Sequence, residues 1–171
     1  EWLENDPERR CDPQKVLPGC QSVVVVAKKY EPQNPFPETD SDEQTGKVSR
    51  YARAKDYHRV MDKPLKKIAR YLNRLGDSLD AESPTWSKPY VDHGPGMERQ
   101  WAARARMGFT GKHTLLIHPQ EGSWFFLGVV LTTLRLRPSP AISDSVPMPS
   151  CGDCRRCIAA CPTNAITEAP H

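Results

Sequence analysis

Four cysteines follow the pattern Cys-x2-Cys-x2-Cys-x3-Cys-Pro, from Cys151 through Cys154, Cys157 and Cys161 to Pro162. No other feature restricts the chain as much, because thiols at this spacing force the backbone to wrap a metal centre. Iron–sulfur clusters take soft thiolate ligands, and a cubane takes four of them. Cys151, Cys154 and Cys157 can wrap one corner of a 4Fe-4S cluster. The cysteine before the proline points away and serves the other cluster of a two-cluster module. Cys161 is therefore expected to begin a second 4Fe-4S site, with the remaining ligands of both outside this chain. Gly152, Ile158, Ala159 and Ala160 are small or apolar, which lets backbone N–H groups approach sulfide. Zinc sites also use Cys-x2-Cys, but need neither the triple run nor the Cys-Pro ending. Cys11 and Cys20 have no such spacing and read as ordinary buried or half-buried cysteines.

A length of 171 residues suggests one domain or slightly more, and 37% apolar residues support a modest core. Seventeen prolines require long loops. The acidic start, Glu1-Trp2-Leu3-Glu4, is no export signal. Six cysteines without such a signal point to redox or metal use in the cytoplasm rather than disulfides. No apolar run approaches the ~20 residues that cross a bilayer. There is no initiator Met and the cluster motif lacks its second half, so the chain reads as a piece of a longer protein. Net charge is only +3, but its distribution is uneven. Residues 47–74 hold ten basic side chains and only two acidic ones, Asp56 and Asp62. Such a surplus attracts phosphates, although a merely solvated helix face would look the same. Residues 31–46 carry five acids and no base, and read as a surface loop.

Hydrophobic patterning organises the rest. Val23 to Ala27 is a β-branched run suited to a strand buried on both faces. Over 56–75, Val60, Leu65, Ile68, Ala69, Leu72 and Leu75 recur near a 3.6-residue period, with Lys66, Lys67, Arg70 and Arg74 mostly opposite. Pro64 predicts a late start or a kink, and Gly76 a stop. Pro89 to Asp92 reads as a short strand entering a Gly94-Pro95 turn. A helix is expected over 95–107, ending at Gly108. Strands are expected at 114–117 and 124–134, the latter interrupted by Gly128. The fold class is α/β (α+β), with a mixed sheet and flanking helices over 1–136. A Pro-rich linker covers 137–150, and the start of a ferredoxin-like segment covers 151–171.

Asp92 ends a strand beside glycine. It suits a proton donor in a sheltered pocket, and equally an Asx turn or helix cap. His93 is a second candidate acid, because imidazole titrates near neutrality. Glu98-Arg99 stands out nearby. The stretch Gly108-Phe109-Thr110-Gly111-Lys112-His113-Thr114 suits a loop lining a phosphate- or amide-bearing cofactor, though its glycine spacing is not that of a P-loop. A plain strand-entry loop is the alternative.

Several of these stretches together resemble the epoxyqueuosine reductases. They are 49–58, beginning Ser49-Arg50-Tyr51; 90–99, beginning Tyr90-Val91-Asp92; Trp101-Ala102-Ala103-Arg104-Ala105; Gly111-Lys112-His113-Thr114; Ile117-His118-Pro119; and 122–128, beginning Gly122-Ser123-Trp124. Their order and the cysteine run agree, over residues 6–166. The resemblance implies a cobalamin-binding domain followed by a ferredoxin-like module with two 4Fe-4S clusters. It implies reduction of epoxyqueuosine to queuosine at the tRNA wobble position, the last step of queuosine synthesis. Electrons would come from an external donor through the clusters to cobalamin, in a monomer. Asp92 matches the family's proton donor. Corrin contacts are expected from Lys55, Asp56 and Tyr57, from Lys112, His113, Thr114 and Leu116, and from Leu127. The basic stretch would meet the tRNA anticodon stem-loop.

The sequence departs from the family pattern at His93, where Thr is typical, and at Gly96-Met97, Arg106 (usually Gly), Thr110 and Leu115. Two other functions compete. A corrinoid reductive dehalogenase shares both cofactors, but the Asp92 motif and the absence of a visible export signal weigh against it. A ferredoxin-type carrier without catalysis leaves the large upstream domain unexplained.

Overall fold

A 23-residue helix and an eight-residue strand lie against each other and set the architecture. The computed structural model describes residues 6–30, 48–53, 55–80, 83–92, 94–139 and 148–168. The acidic stretch 31–46, His93 and most of the 137–150 linker lie outside these. In chain order the elements are α1 (Pro7–Cys11), β1 (Ser22–Lys29), α2 (Tyr57–Leu79), β2 (Ser87–Tyr90), α3 (Glu98–Arg104), β3 (Phe109–Thr110), β4 (Leu116–Ile117), β5 (Phe125–Thr132) and α4 (Arg156–Ala159).

Helix α2 starts where Asp56 caps it, its carboxylate accepting from the His58 backbone N–H at 3.0 Å. Met61, Leu65, Ala69, Leu72 and Gly76 form its buried stripe at steps of three and four. Lys63, Lys66, Lys67, Arg70 and Arg74 are exposed. The helix runs continuously through Pro64, which neither starts nor ends it. Gly76 is not a stop either. A Cβ there would lie 1.9 Å from Thr85 Oγ1, so the glycine marks where the chain returning to β2 crosses the helix.

The main sheet has the order β1–β5–β2, and both pairings are antiparallel. Where a mixed sheet was expected, the described strands pair only in this sense. Strand β5 sits in the middle. Its Val130 joins the core under α2, while Val129 and Leu131 face the side lined by Trp101 and Val16. The valine run of β1 lies at an edge and is half-buried, not buried on both faces. That role falls to β5, whose buried half, Gly128–Thr132, begins at the glycine that was expected to interrupt it. At Gly128 a Cβ would lie 2.6 Å from Leu65 Cδ1, 3.2 Å from the Tyr90 carbonyl oxygen and 3.3 Å from Met61 Cε. Glycine lets α2 settle onto the strand. Pro89 is tolerated because β2 is the other edge.

Helix α3 is shorter than the expected 95–107 helix. It ends in a Schellman closure, with Met107 N–H on the Ala102 carbonyl at 3.0 Å and Arg106 N–H on the Ala103 carbonyl at 2.9 Å. This puts Arg106 at φ +57, a conformation glycine holds at no steric cost. Strands β3 and β4 form a small hairpin of their own. Cys20 is buried as expected, whereas Cys11 is exposed because α1 presents no buried face. No helix among the described residues is long and apolar enough to cross a membrane.

Two substitutions test this packing with opposite signs. Gly128→Ala should cost about 1–3 kcal/mol through overpacking. Arg106→Gly should add up to about 1 kcal/mol by relieving the left-handed residue. Urea denaturation of both variants reads the two signs directly.

Candidate functional site

The start of α2 and the end of β2 converge at the same end of β5. Tyr57 opens α2 and stacks on Phe126 of β5 at 4.7 Å and 8°. Tyr30, just past β1, stacks on the same ring at 4.2 Å. His58 stacks on Tyr57 at 4.1 Å, and Tyr51 meets Tyr57 edge-on at 6.4 Å. Tyr30, Tyr51, Tyr57 and Phe126 form the wall of an open cleft of about 430 Å³, a usual ligand-pocket size. Leu115, Leu116, Phe125, Leu127 and Ser123 extend the lining, and Asp92, Glu98 and Arg99 supply its charge.

Asp92 adopts φ +55 just after β2. Its carboxylate accepts a hydrogen bond from the Tyr57 hydroxyl. Its backbone N–H donates to Glu98 Oε1 at 3.2 Å. The cap reading fails, since Met97 stands at the N-cap of α3 without a side-chain bond. The expectation of a sheltered pocket is also not met, because the Asp92 side chain is 68% exposed. His58 Nε2 lies 3.9 Å from Asp92 Oδ2, and its Nδ1 lies 2.8 Å from Asp56 Oδ1.

Three other acids at or beside the cleft are shifted, two of them by burial. The Glu98 carboxyl is pushed up, first by desolvation and also by the Asp92 charge. The Tyr57 hydroxyl is pushed well up by burial and by its bond to Asp92, so it stays a donor at neutral pH. The Asp56 carboxyl is pulled down, mainly by its bond to the His58 ring.

Of the residues expected at a cofactor, Tyr57, Leu116 and Leu127 line the cleft beside Asp92. Asp56 instead caps α2, and Lys55 is exposed and outside the lining. His113 closes its own loop, its Nδ1 accepting from Leu115 N–H at 3.1 Å. Thr114 has φ +67 and is held by Arg99, whose Nη1 donates to its carbonyl oxygen at 2.9 Å and lies 3.3 Å from its hydroxyl. Lys112 turns to the cysteine segment, its backbone N–H donating to Cys151 Sγ at 3.4 Å. Tyr30, Tyr51, Phe125 and Phe126 were missed. The Phe125-Phe126 pair at the entrance of an apolar strand was the available signal.

Cys151 and Cys154 lie on one turn, Cys157 lies on α4 and Cys161 follows it. Among the described residues no three metal-ligating side chains converge on a point. The donor chemistry nonetheless fits iron–sulfur ligation. All four thiols are free, and Cys151 receives an N–H bond. The Cys161 thiol is pulled down to about 7, first by the Thr163 hydroxyl at 3.6 Å and then by backbone N–H groups. The cleft likewise fits the edge of a large, flat, amphipathic ligand, since ring faces line it and polar groups cluster at one end.

Fold and site thus define an α/β domain with an aromatic ligand cleft, joined to a cysteine-rich segment. The family model "Epoxyqueuosine reductase QueG, DUF1730" matches residues 10–92. An epoxyqueuosine reductase of Gloeobacter violaceus is 42% identical over 168 residues, covering 98% of this chain and 47% of that protein. The chain spans about half the length of the curated relatives it matches. The solved epoxyqueuosine reductase of Streptococcus thermophilus superposes with a TM-score of 0.74 at 30% identity, over 91% of this chain and 39% of that one. A structure of an epoxyqueuosine reductase with an epoxyqueuosine-modified tRNA-Tyr stem loop superposes at 0.71 and 31% identity, over 95% and 40%. Nearly the whole chain therefore aligns with about half the length of known epoxyqueuosine reductases.

The raised Glu98 carboxyl predicts a pH signature. The folded chain keeps this proton to higher pH than the unfolded chain, whose carboxyl titrates near 4.5. The associated stability is therefore full below that value and lost as pH rises through the folded one. Glu98→Gln should flatten this part of the urea-midpoint profile.

Proposed function

We propose that this chain is the catalytic part of an enzyme that reduces epoxyqueuosine to queuosine at the wobble position of tRNA. The observation that carries the reading is Asp92, held on the wall of an aromatic cleft by Tyr57 and Glu98. Residues 1–136 form the reductase domain, 137–150 a linker and 151–171 a ferredoxin-type segment. Tyr57, Leu116, Leu127 and the neighbouring aromatic residues would hold cobalamin in the cleft. Cys151, Cys154 and Cys157 would serve one 4Fe-4S cluster and Cys161 another. Bound cobalamin would supply a strongly reducing centre, with the clusters and an external donor as its source of electrons.

Removing an epoxide oxygen as water consumes two electrons and two protons. The chain's own task is the protons. Asp92 delivers one to the oxygen as the C–O bond opens. In the open cleft its carboxyl faces water, and a ligand lying over it removes that water. Tyr57 orients one carboxyl oxygen, and Glu98 fixes the backbone from which the side chain projects. His58 is pinned by Asp56 through Nδ1 and presents Nε2 to Asp92, where it can return a proton.

The exposed basic face of α2, with Arg59, Lys63, Lys66, Lys67, Arg70 and Arg74, suits the phosphates of an anticodon stem-loop. Its apolar stripe is committed to the core, so this charge is free to face a partner. Target bases of single-stranded loops can be splayed into a pocket, and the aromatic cleft opens beside the first turn of α2.

The whole protein, loaded with both cofactors, should form queuosine on an epoxyqueuosine-containing stem-loop. Asp92→Asn should lower the rate by about 10²-fold or more with the cofactors retained. No queuosine from the loaded wild type would reject the function, and full activity of the variant would reject the role of Asp92. Arg70→Glu with Arg74→Glu should weaken stem-loop binding and flatten its salt dependence by about 0.7–0.9 per lost phosphate contact. Unchanged affinity and slope would remove the basic face from the interface.

A further inference from the structure

Lys112 was expected at the corrin, yet both its polar groups reach the cysteine turn. Its backbone N–H donates to Cys151 Sγ at 3.4 Å, and its ammonium donates to the Gly152 carbonyl oxygen at 2.9 Å. The two partners are 39 and 40 residues away in sequence. Lys112 sits on the tight end of the β3–β4 hairpin. That loop is closed by Gly111 N–H on the Leu115 carbonyl at 2.9 Å and Thr114 N–H on the Gly111 carbonyl at 2.8 Å. Arg99 holds the same loop from α3. Its far side, Leu115 and Leu116, lines the cleft. One rigid loop therefore touches a cluster-type ligand at one end and the cleft at the other.

We propose that Lys112 is a positioning and tuning residue that couples the Cys151 thiolate to the cleft. Its N–H and ammonium stabilise added negative charge on that cluster, and its loop provides the short route toward Leu115 and Leu116. This rests on the proposed cluster-bearing reading of Cys151, Cys154 and Cys157. An N–H bond to a ligating sulfur raises a cluster's reduction potential. The ammonium, held on the carbonyl oxygen of Gly152 next in sequence to Cys151, acts in the same direction. The effect is confined to the cluster of Cys151, because Cys161 takes its hydrogen bonds from Thr163 and the backbone beyond it.

The test is an EPR-monitored redox titration of the whole cluster-loaded protein, preceded by iron and sulfide analysis. Lys112→Met should shift one cluster midpoint downward and leave the other in place, at unchanged iron content. Electron delivery to bound cobalamin, followed by its visible spectrum, should slow severalfold. Lys112→Arg keeps the cation and should remain near wild type. If Lys112→Met does not hold its clusters, Lys112→Gln provides the same comparison. Two unmoved midpoints, or two that move equally, overturn the proposal, since a purely structural clasp would not shift one cluster selectively. A wild type without iron overturns the cluster reading instead, and this appears before any potential is measured.

Discussion

The seating of α2 on β5 at Gly128 is the contact on which the rest depends. Met61 and Leu65 are fully buried there, and they reach within 3.3 and 2.6 Å of where a side chain on residue 128 would stand. Each such side chain contributes about 1.5–3 kcal/mol through burial. The consequence is also geometric. Tyr57 lies one helical turn before Met61, and Phe126 lies two strand residues before Gly128. Bringing Met61 down on Gly128 therefore brings Tyr57 down on Phe126. Strand β2 is registered on the same stretch of β5, Tyr90 opposite Val129, so its continuation at Asp92 arrives beside Tyr57. A single close approach in the core thus fixes the aromatic wall and the carboxylate together.

The same arrangement explains how one helix can serve two surfaces. The buried stripe of α2 is narrow, running from Met61 to Gly76 on one side. Every lysine and arginine from Arg59 to Arg74 is left exposed. Lys66 pairs with Asp62 at 2.7 Å, yet both are well exposed, and such pairs contribute little. The basic field therefore costs the fold little and remains available to an anionic partner.

What could be read from the chain alone follows from what is local. The period of α2, the valine strand and the turn at Asp92 depend on neighbours a few residues away, and each was found. Two of the errors share one cause, which is that glycine carries two meanings. Gly76 and Gly128 look like punctuation in sequence, but both are close-approach points whose partners, Thr85 and Leu65, are set by tertiary packing. Which apolar strand takes the centre of the sheet is likewise not a local property. The valines of β1 are the better strand formers, yet β5 is central because both other strands pair with it. The cleft was only half legible for the same reason. Asp92 and Tyr57 stand out within their own motifs, whereas the roles of Tyr30, Tyr51 and Phe126 follow only from ring contacts between separated segments.

Helix α3 shows how strain at the cleft is supported. Asp92 and Thr114 both hold left-handed backbone, which costs an L-residue about 1–2 kcal/mol. For a β-branched threonine it is a marked outlier. Adjacent residues of the first turn of α3 hold the two positions. Glu98 takes the N–H of Asp92, and Arg99 takes the carbonyl of Thr114. A seven-residue helix with no side-chain cap contributes little stability of its own. Its work is to hold two strained turns in register, one at Asp92 and one in the loop whose Leu115 and Leu116 line the cleft. Gly96 belongs to this device, because a Cβ there would lie 3.0 Å from the Glu98 carboxylate. The departure from the family pattern at Gly96-Met97 leaves room for the side chain that anchors Asp92. Backbone strain is retained where surrounding groups over-determine it, and here they do so around a cleft carboxylate whose side chain is open to water.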